Sequence, residues 1–206
     1  MTEQFLQFRQ NIENIFFQYA HITGALELYD FVLRDKNLQE RYFGTEFKEI
    51  HRYHDINGVR EVWYPAVPIE IIIAMIPTMK GSVFGFIIRR FIEEIDFYLD
   101  AVAKSRGEDL GRRNKLKEFD KKICRISDIE AYPGIFRLRE ERHVIVHNQG
   151  RLDRKFVDKV NRELKLNLPD SLVGMPIRKS HLEMLRIKDI VVKFVQEIES
   201  RIEAVE

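Results

Sequence analysis

Apolar side chains return at steps of three and four over most of the chain, a period of 3.6 that admits little besides amphipathic helices. Phe5, Phe8, Ile12, Ile15, Phe16, Tyr19, Ile22 and Leu26 carry the period through residues 3–33 and predict one long helix. Leu38, Tyr42, Phe43, Phe47 and Ile50 suggest a second, shorter one. Residues 53–67 lose the period, hold Gly58 and Pro65, and read as a connection. Pro68 suits the start of a short buried helix that ends before Pro77. Ile88, Phe91, Ile92, Ile95, Tyr98 and Val102 mark a strong helix stopping near Gly107, and residues 112–125 form a more polar one.

The C-terminal half keeps the pattern. Pro133 suits a helix start and Gly150 a helix stop, with Ile135, Leu138, Ile145 and Val146 available for a buried face. Asp153 is placed to cap a helix through Leu164 that turns Phe156, Val157 and Val160 inward. Residues 165–179 hold Pro169, Gly174 and Pro176 and read as a small hairpin or ordered loop. Ser180-His181-Leu182-Glu183 is a capping-box pattern. It opens a last helix along Ile187, Val191, Phe194, Ile198 and Ile202. The expected class is an all-α bundle with few or no strands.

Composition narrows the setting. A chain of 206 residues is long enough to bury a full core as one domain. Its single cysteine, Cys124, excludes a disulfide framework and a cysteine-based zinc site, and favours a reducing, cytoplasmic setting. The opening Met-Thr-Glu-Gln-Phe-Leu lacks the basic-then-apolar order of a signal peptide. The most apolar stretch, 69–88, is interrupted by Glu70, Pro77, Lys80 and Gly81 and reads as buried helix, so no membrane partner is expected. Net charge is +1, but residues 111–122 carry six basic side chains against Glu118 and Asp120. Nine basic and five acidic residues lie between Arg137 and Lys165. A local basic face of this kind suits a phosphate backbone; a solvated mixed-charge helix face gives the same counts.

One stretch carries chemistry: Arg142-His143-Val144-Ile145-Val146-His147-Asn148-Gln149-Gly150. On a helix, Arg142 and His147 lie about 140° apart around the axis and roughly 7.5 Å apart along it. A guanidinium that binds phosphate beside an imidazole that moves protons at neutral pH suits phosphodiester chemistry. Plainer roles compete. Arg142 could form a surface ion pair, although its helical neighbours Leu138, Arg139, Ile145 and Val146 offer no carboxylate. His147 could sit at a helix C-terminus, where cations are favoured. His143 and His147 have the i, i+4 spacing of two zinc ligands, with Glu140 as a third, but no HExxH and no fourth ligand accompany them, and no metal is expected. His51 and His54 lie in or beside a loop with no companion cluster and read as a surface pair. No Walker loop, dinucleotide fingerprint or nucleophile elbow occurs, so no cofactor is expected.

Arg, a polar residue, three variable residues and His, late in a helical chain, resembles the Arg-x4-6-His motif of the HEPN superfamily (higher eukaryotes and prokaryotes nucleotide-binding). The run from Arg142 to Asn148, followed by Gly150 and a basic helix from Arg154, looks like the HEPN ribonucleases of prokaryotic defence and toxin-antitoxin systems. The resemblance implies a HEPN-like helical domain over 1–206, with 1–80 an N-terminal helical part and 81–206 the core that holds the motif. It implies metal-independent cleavage of RNA, with Arg142 and His147 catalytic and His143 and Asn148 orienting substrate or His147. A single motif implies a homodimer that brings two motif helices together, and an antitoxin or other protein as a further partner. The competing expectation is a non-catalytic module that binds nucleotide, RNA or a protein through the same surface.

Overall fold

The structure is a computed structural model. It describes residues 2–43, 49–56, 59–112 and 114–204, with side chains at all of these except 42, 43, 49–56 and 59–66. Seven helices carry most of the described residues: α1 (Glu3–Arg34), α2 (Lys36–Phe43), α3 (Ile69–Ser105), α4 (Lys115–Lys122), α5 (Tyr132–His147), α6 (Arg154–Leu164) and α7 (His181–Glu203). The chain is mostly helical, as its periodicity demands. The one sheet among the described residues is an antiparallel pair, β1 (Glu49–Ile56) and β2 (Val59–Pro68), paired from Glu49 opposite Pro68 to Ile56 opposite Val59. The register slips around Arg52. The expected connection at 53–67 is therefore a hairpin, and Ile50 belongs to its first strand rather than to a second helix. The side chains of His51 and His54 lie outside the described residues.

A larger correction concerns α3. The short helix expected to end before Pro77 is instead one 37-residue helix that runs through it. Pro77 is exposed, and buried Ile69, Ile76, Phe84, Ile87 and Ile88 flank it on both sides. Nor is the first half of α3 a buried helix. Ile71, Met75 and Met79 are 43 to 50% exposed, and the helix is long and apolar enough to cross a membrane by length and composition.

The chain divides into two compact units, residues 1–18 with 84–206, and residues 19–83. The smaller one buries Tyr19, Val32, Leu33, Ile69 and Ile76. Within it Gln39 donates to the carbonyl of Leu33 at 2.9 Å, and Lys80 pairs with Glu27 at 3.3 Å. The larger unit is built on the second half of α3, whose Ile87, Ile88, Phe91 and Leu99 are fully buried. Phe5, Phe8, Ile12 and Ile15 of α1, Ile135 and Leu138 of α5, and Val191, Phe194 and Ile198 of α7 complete its core. Burying a side chain of this size is worth about 1.5 to 3 kcal/mol, so these rows dominate the unit's stability.

Local signals act where the sequence places them. Asp153 accepts from the Phe156 amide at 2.7 Å and starts α6, whose Phe156, Val157 and Val160 are buried with Val144. The Ser180–Glu183 capping box forms in both directions and starts α7. Residues 165–179 hold one 3-10 turn, Asp170–Leu172, and an isolated bridge between Arg151 and Pro176.

Candidate functional site

The motif lies on the last two turns of α5. Pro133 sits in the first turn, where a missing N–H costs nothing. At the other end the amides of Asn148 and Gly150 both donate to the carbonyl of Val144, at 2.8 and 3.2 Å. Gln149 and Gly150 take left-handed conformations, with φ of 52° and 72°, which turns the chain out of the helix. The exiting segment then pairs with residues 174–177. Leu152 donates to Met175 at 2.9 Å, Gly174 to Leu152 at 2.7 Å and Ile177 to Gly150 at 2.8 Å. The end of the motif helix is thus held by a backbone ladder rather than left to fray.

Two glycines bring α5 close to its neighbours. A methyl group at Gly85 of α3 would lie 2.9 Å from Cγ2 of Ile145, and one at Gly134 would lie 3.0 Å from Cγ2 of Ile190 on α7. The buried face of α5 runs Ile135, Leu138, Glu141 and Val144, at steps of three. Val146, expected inside, is 47% exposed because it projects about 200° around the axis from Val144.

The four motif side chains separate into three environments. His143 and His147 are both exposed, and their rings stack at 4.5 Å between centroids with a 47° tilt. Asn148 spends its side-chain amide on the carbonyl of Arg151, which closes the turn after the helix. That geometry makes it a cap first, and leaves its side-chain oxygen for other work. Arg142 is half-buried; its Nε is fully buried and donates to nothing among the described residues. The structure brings the two imidazoles together and makes no hydrogen bond or ion pair from Arg142 to either among the described residues.

No neighbouring carboxylate quenches Arg142. Glu140 is buried and pairs with Lys159 at 2.7 Å. Glu141, 3% exposed, pairs with Arg137 at 3.1 Å and Lys179 at 3.0 Å. Arg139 reaches Asp96 of α3 at 2.9 Å. Of the nine basic residues from 137 to 165, Arg137, Arg139, Arg154, Lys159 and Arg162 hold ion pairs, while Arg142, like Arg151, Lys155 and Lys165, holds none among the described residues. An orphaned buried donor on a cation costs of the order of 1 to 3 kcal/mol, so the protein tolerates a defect here that it corrects at the neighbouring positions.

Two other chemistries lack a site. No group of three His, Cys, Asp or Glu fit to hold a metal occurs among the described residues, and Glu140 is turned to Lys159 rather than to the imidazoles. Burial pushes the Cys124 thiol up, against the opposing pull of Arg201 and Arg106, which disfavours the thiolate a nucleophile needs. An open groove of about 310 Å³ lies elsewhere, lined by Gln7, Asn11, Glu94 and Phe97. The Arg142–His147 motif lies on α5 instead.

Sequence reasoning missed the roles of Glu140, Glu141 and Lys179. Its one available signal was two consecutive acidic residues, Glu140-Glu141, within a helix otherwise rich in arginine. No family model, no curated protein and no solved structure matches this chain.

Proposed function

We propose that the end of α5 is a phosphate-binding catalytic surface and that the protein is a metal-independent endoribonuclease of HEPN type. The observation that carries this reading is the buried, unpartnered Nε of Arg142 on the same last two turns of α5 as two exposed imidazoles in ring contact. The Arg142 guanidinium, held by no carboxylate among the described residues, is free to give a phosphodiester oxygen the charge-assisted bonds it forms best. In the reaction the ribose 2′-hydroxyl attacks phosphorus while His147 takes its proton. The new O2′–P bond replaces the P–O5′ bond, and the 5′-oxygen leaves with a proton from a second acid. Arg142 stabilises the added charge on the phosphoryl oxygens in between. His143 positions His147 through their ring contact, and Asn148 fixes the helix end that carries both. A homodimer that sets two such surfaces face to face supplies the second acid and completes the site. Defence or toxin-antitoxin biology, a cytoplasmic setting and an antitoxin or other partner belong to the same proposal.

The test is cleavage of a labelled RNA in EDTA. Wild type should yield 2′,3′-cyclic phosphate ends, and His147→Ala should be slower by roughly 10² to 10⁴-fold, the usual contribution of a general acid or base. RNA methylated at the scissile 2′-hydroxyl should resist. Undiminished cleavage by His147→Ala, or cleavage abolished by EDTA and restored by zinc, would overturn the reading. RNA binding that needs Arg142 without any cleavage leaves the same surface as a non-catalytic anion-binding module.

A further inference from the structure

We infer that the first half of α3 is a lipid-binding face, which seats the smaller unit on a membrane surface without crossing it. The inference is independent of the ribonuclease reading. From Ile71 to Ser82, over three helical turns, eight residues are exposed and none is charged. The bulkiest of them, Ile71, Met75 and Met79, are 50%, 47% and 43% exposed. Helix α6 shows what this chain does with a surface that faces water: all six of its exposed residues are charged. The contrast extends beyond one patch. Helix α3 holds an 18-residue stretch apolar enough to cross a membrane, and only 28% of that stretch is buried. A core helix of such composition would be covered by protein on every side.

The face has edges. Around the helix axis, Ile71, Thr78, Met79 and Ser82 all lie within about 60° of Met75. The nearest charges, Glu70 and Lys80, lie about 140° from Met75, one on each side. Lys80 is held there by Glu27 of α1 at 3.3 Å. Ile69 and Ile76, about 100° to 120° round, are buried. A spanning helix is apolar all round; one free face between two charges suits a helix that lies in the interface. Size argues for lipid over a second protein. Twelve helical residues present roughly 17 Å by 10 Å, about 170 Å². Each partner in a stable protein complex buries about 800 Å², with roughly one hydrogen bond per 100 to 200 Å². This face is too small and has no charge to specify a partner. Ser82 turns its hydroxyl back onto the Thr78 carbonyl at 3.1 Å. Lipid sets no minimum area, and unbranched Met75 and Met79 adapt to a fluid surface.

With no cation on the face, attachment is hydrophobic, so neutral lipid should suffice and salt should not weaken it. Flotation of the full chain with phosphatidylcholine vesicles reads this directly. Wild type should float at low salt and equally at about 1 M salt. Met75→Glu and Met79→Glu place a carboxylate on the face at exposed positions. With unchanged urea midpoints, each should bind at least about tenfold less. Gln10→Glu, exposed on α1, should float like wild type. In a Cys124→Ser background, a polarity-sensitive dye on Met75→Cys should shift to the blue with vesicles, and the same dye on Ala101→Cys should not. A wild type that stays in solution would overturn the inference, as would Met75→Glu floating undiminished. So would binding that needs anionic lipid and disappears in salt, which would belong to the basic helices instead. A lipid-free dimer split by Met75→Glu would give the face to a second copy and also overturn it. RNA cleavage is assayed without vesicles, so this inference and the ribonuclease reading fail separately.

Discussion

Arg142 is the side chain whose energetics and chemistry pull in opposite directions. Its buried Nε forgoes a hydrogen bond that an apolar side chain would not need. Arg142→Leu should therefore unfold at higher urea, by about 1 kcal/mol, while losing phosphate binding. Equal losses of stability and binding would mean that the guanidinium is structural. A second residue-scale case is Glu199, which is 3% exposed. Burial pushes its carboxyl up, yet bonds from the Tyr98 hydroxyl at 2.6 Å and from the Thr2 amide and hydroxyl at 2.9 and 2.7 Å outweigh that and hold it below the ordinary carboxylate range. A carboxyl that titrates lower in the folded state contributes stability that is fully present above its unfolded value and drains away as pH falls through the folded one. Glu199→Gln should cost about 2 kcal/mol at pH 7, and the gap to wild type should narrow from about pH 5 downward. Urea midpoints at pH 7 and pH 4 check it. The motif was legible as a candidate because it sets rare residue types at a fixed spacing. The roles of Glu140, Glu141 and Glu199 were not, because what makes a buried glutamate tolerable is a partner up to 197 residues away.

At the scale of elements, caps and periods were readable and distant packing was not. Asp153 and Ser180 act on backbone amides three residues ahead, so their helices could be placed from local sequence. The hairpin was missed although Asn57-Gly58, a strong hairpin signal, stands between its strands, because Pro65 and the broken period argued for a connection. Pro77 misled in the other direction. Proline is expensive inside a helix on local grounds, but the apolar rows on both sides of it hold α3 continuous. The approach of α3 to α5 was likewise invisible, since nothing in a lone Gly85 announces Ile145 as its neighbour. The 2.9 Å contact supplies a test. Gly85→Ala should gain helix propensity and still destabilise, by about 1 kcal/mol net, because Cγ2 of Ile145 is a methyl held on a branched Cβ whose rotamer is restricted, so it cannot easily swing aside. Ile145→Ala removes that atom, so the double variant should be more stable than the sum of the two single losses requires. Additive losses in a double-mutant cycle would show that the two positions do not meet.

At the scale of the whole molecule, the proposed cleavage asks one Arg-His surface for two proton transfers. Both imidazoles of a protomer project from adjacent turns, 4.5 Å apart, which suits one side of a scissile phosphate better than both. Attack and departure in line demand acid and base on opposite sides, and a second protomer is the direct source of the other side. That demand can be read without a structure of the complex. Two differently tagged chains, one wild type and one His147→Ala, allow the mixed dimer to be isolated by sequential affinity steps. If each protomer held a complete site, the mixed dimer would retain about half of the wild-type rate, because one intact site would remain. If each reaction draws on both motifs, the single lost imidazole damages every arrangement in which it takes part. The mixed dimer should then fall well below half, toward the roughly 10² to 10⁴-fold loss of the His147→Ala homodimer. A value at half would dissolve the composite site while leaving Arg142 and His147 as the catalytic pair. A rate far below half would require the two motif helices to share one phosphate.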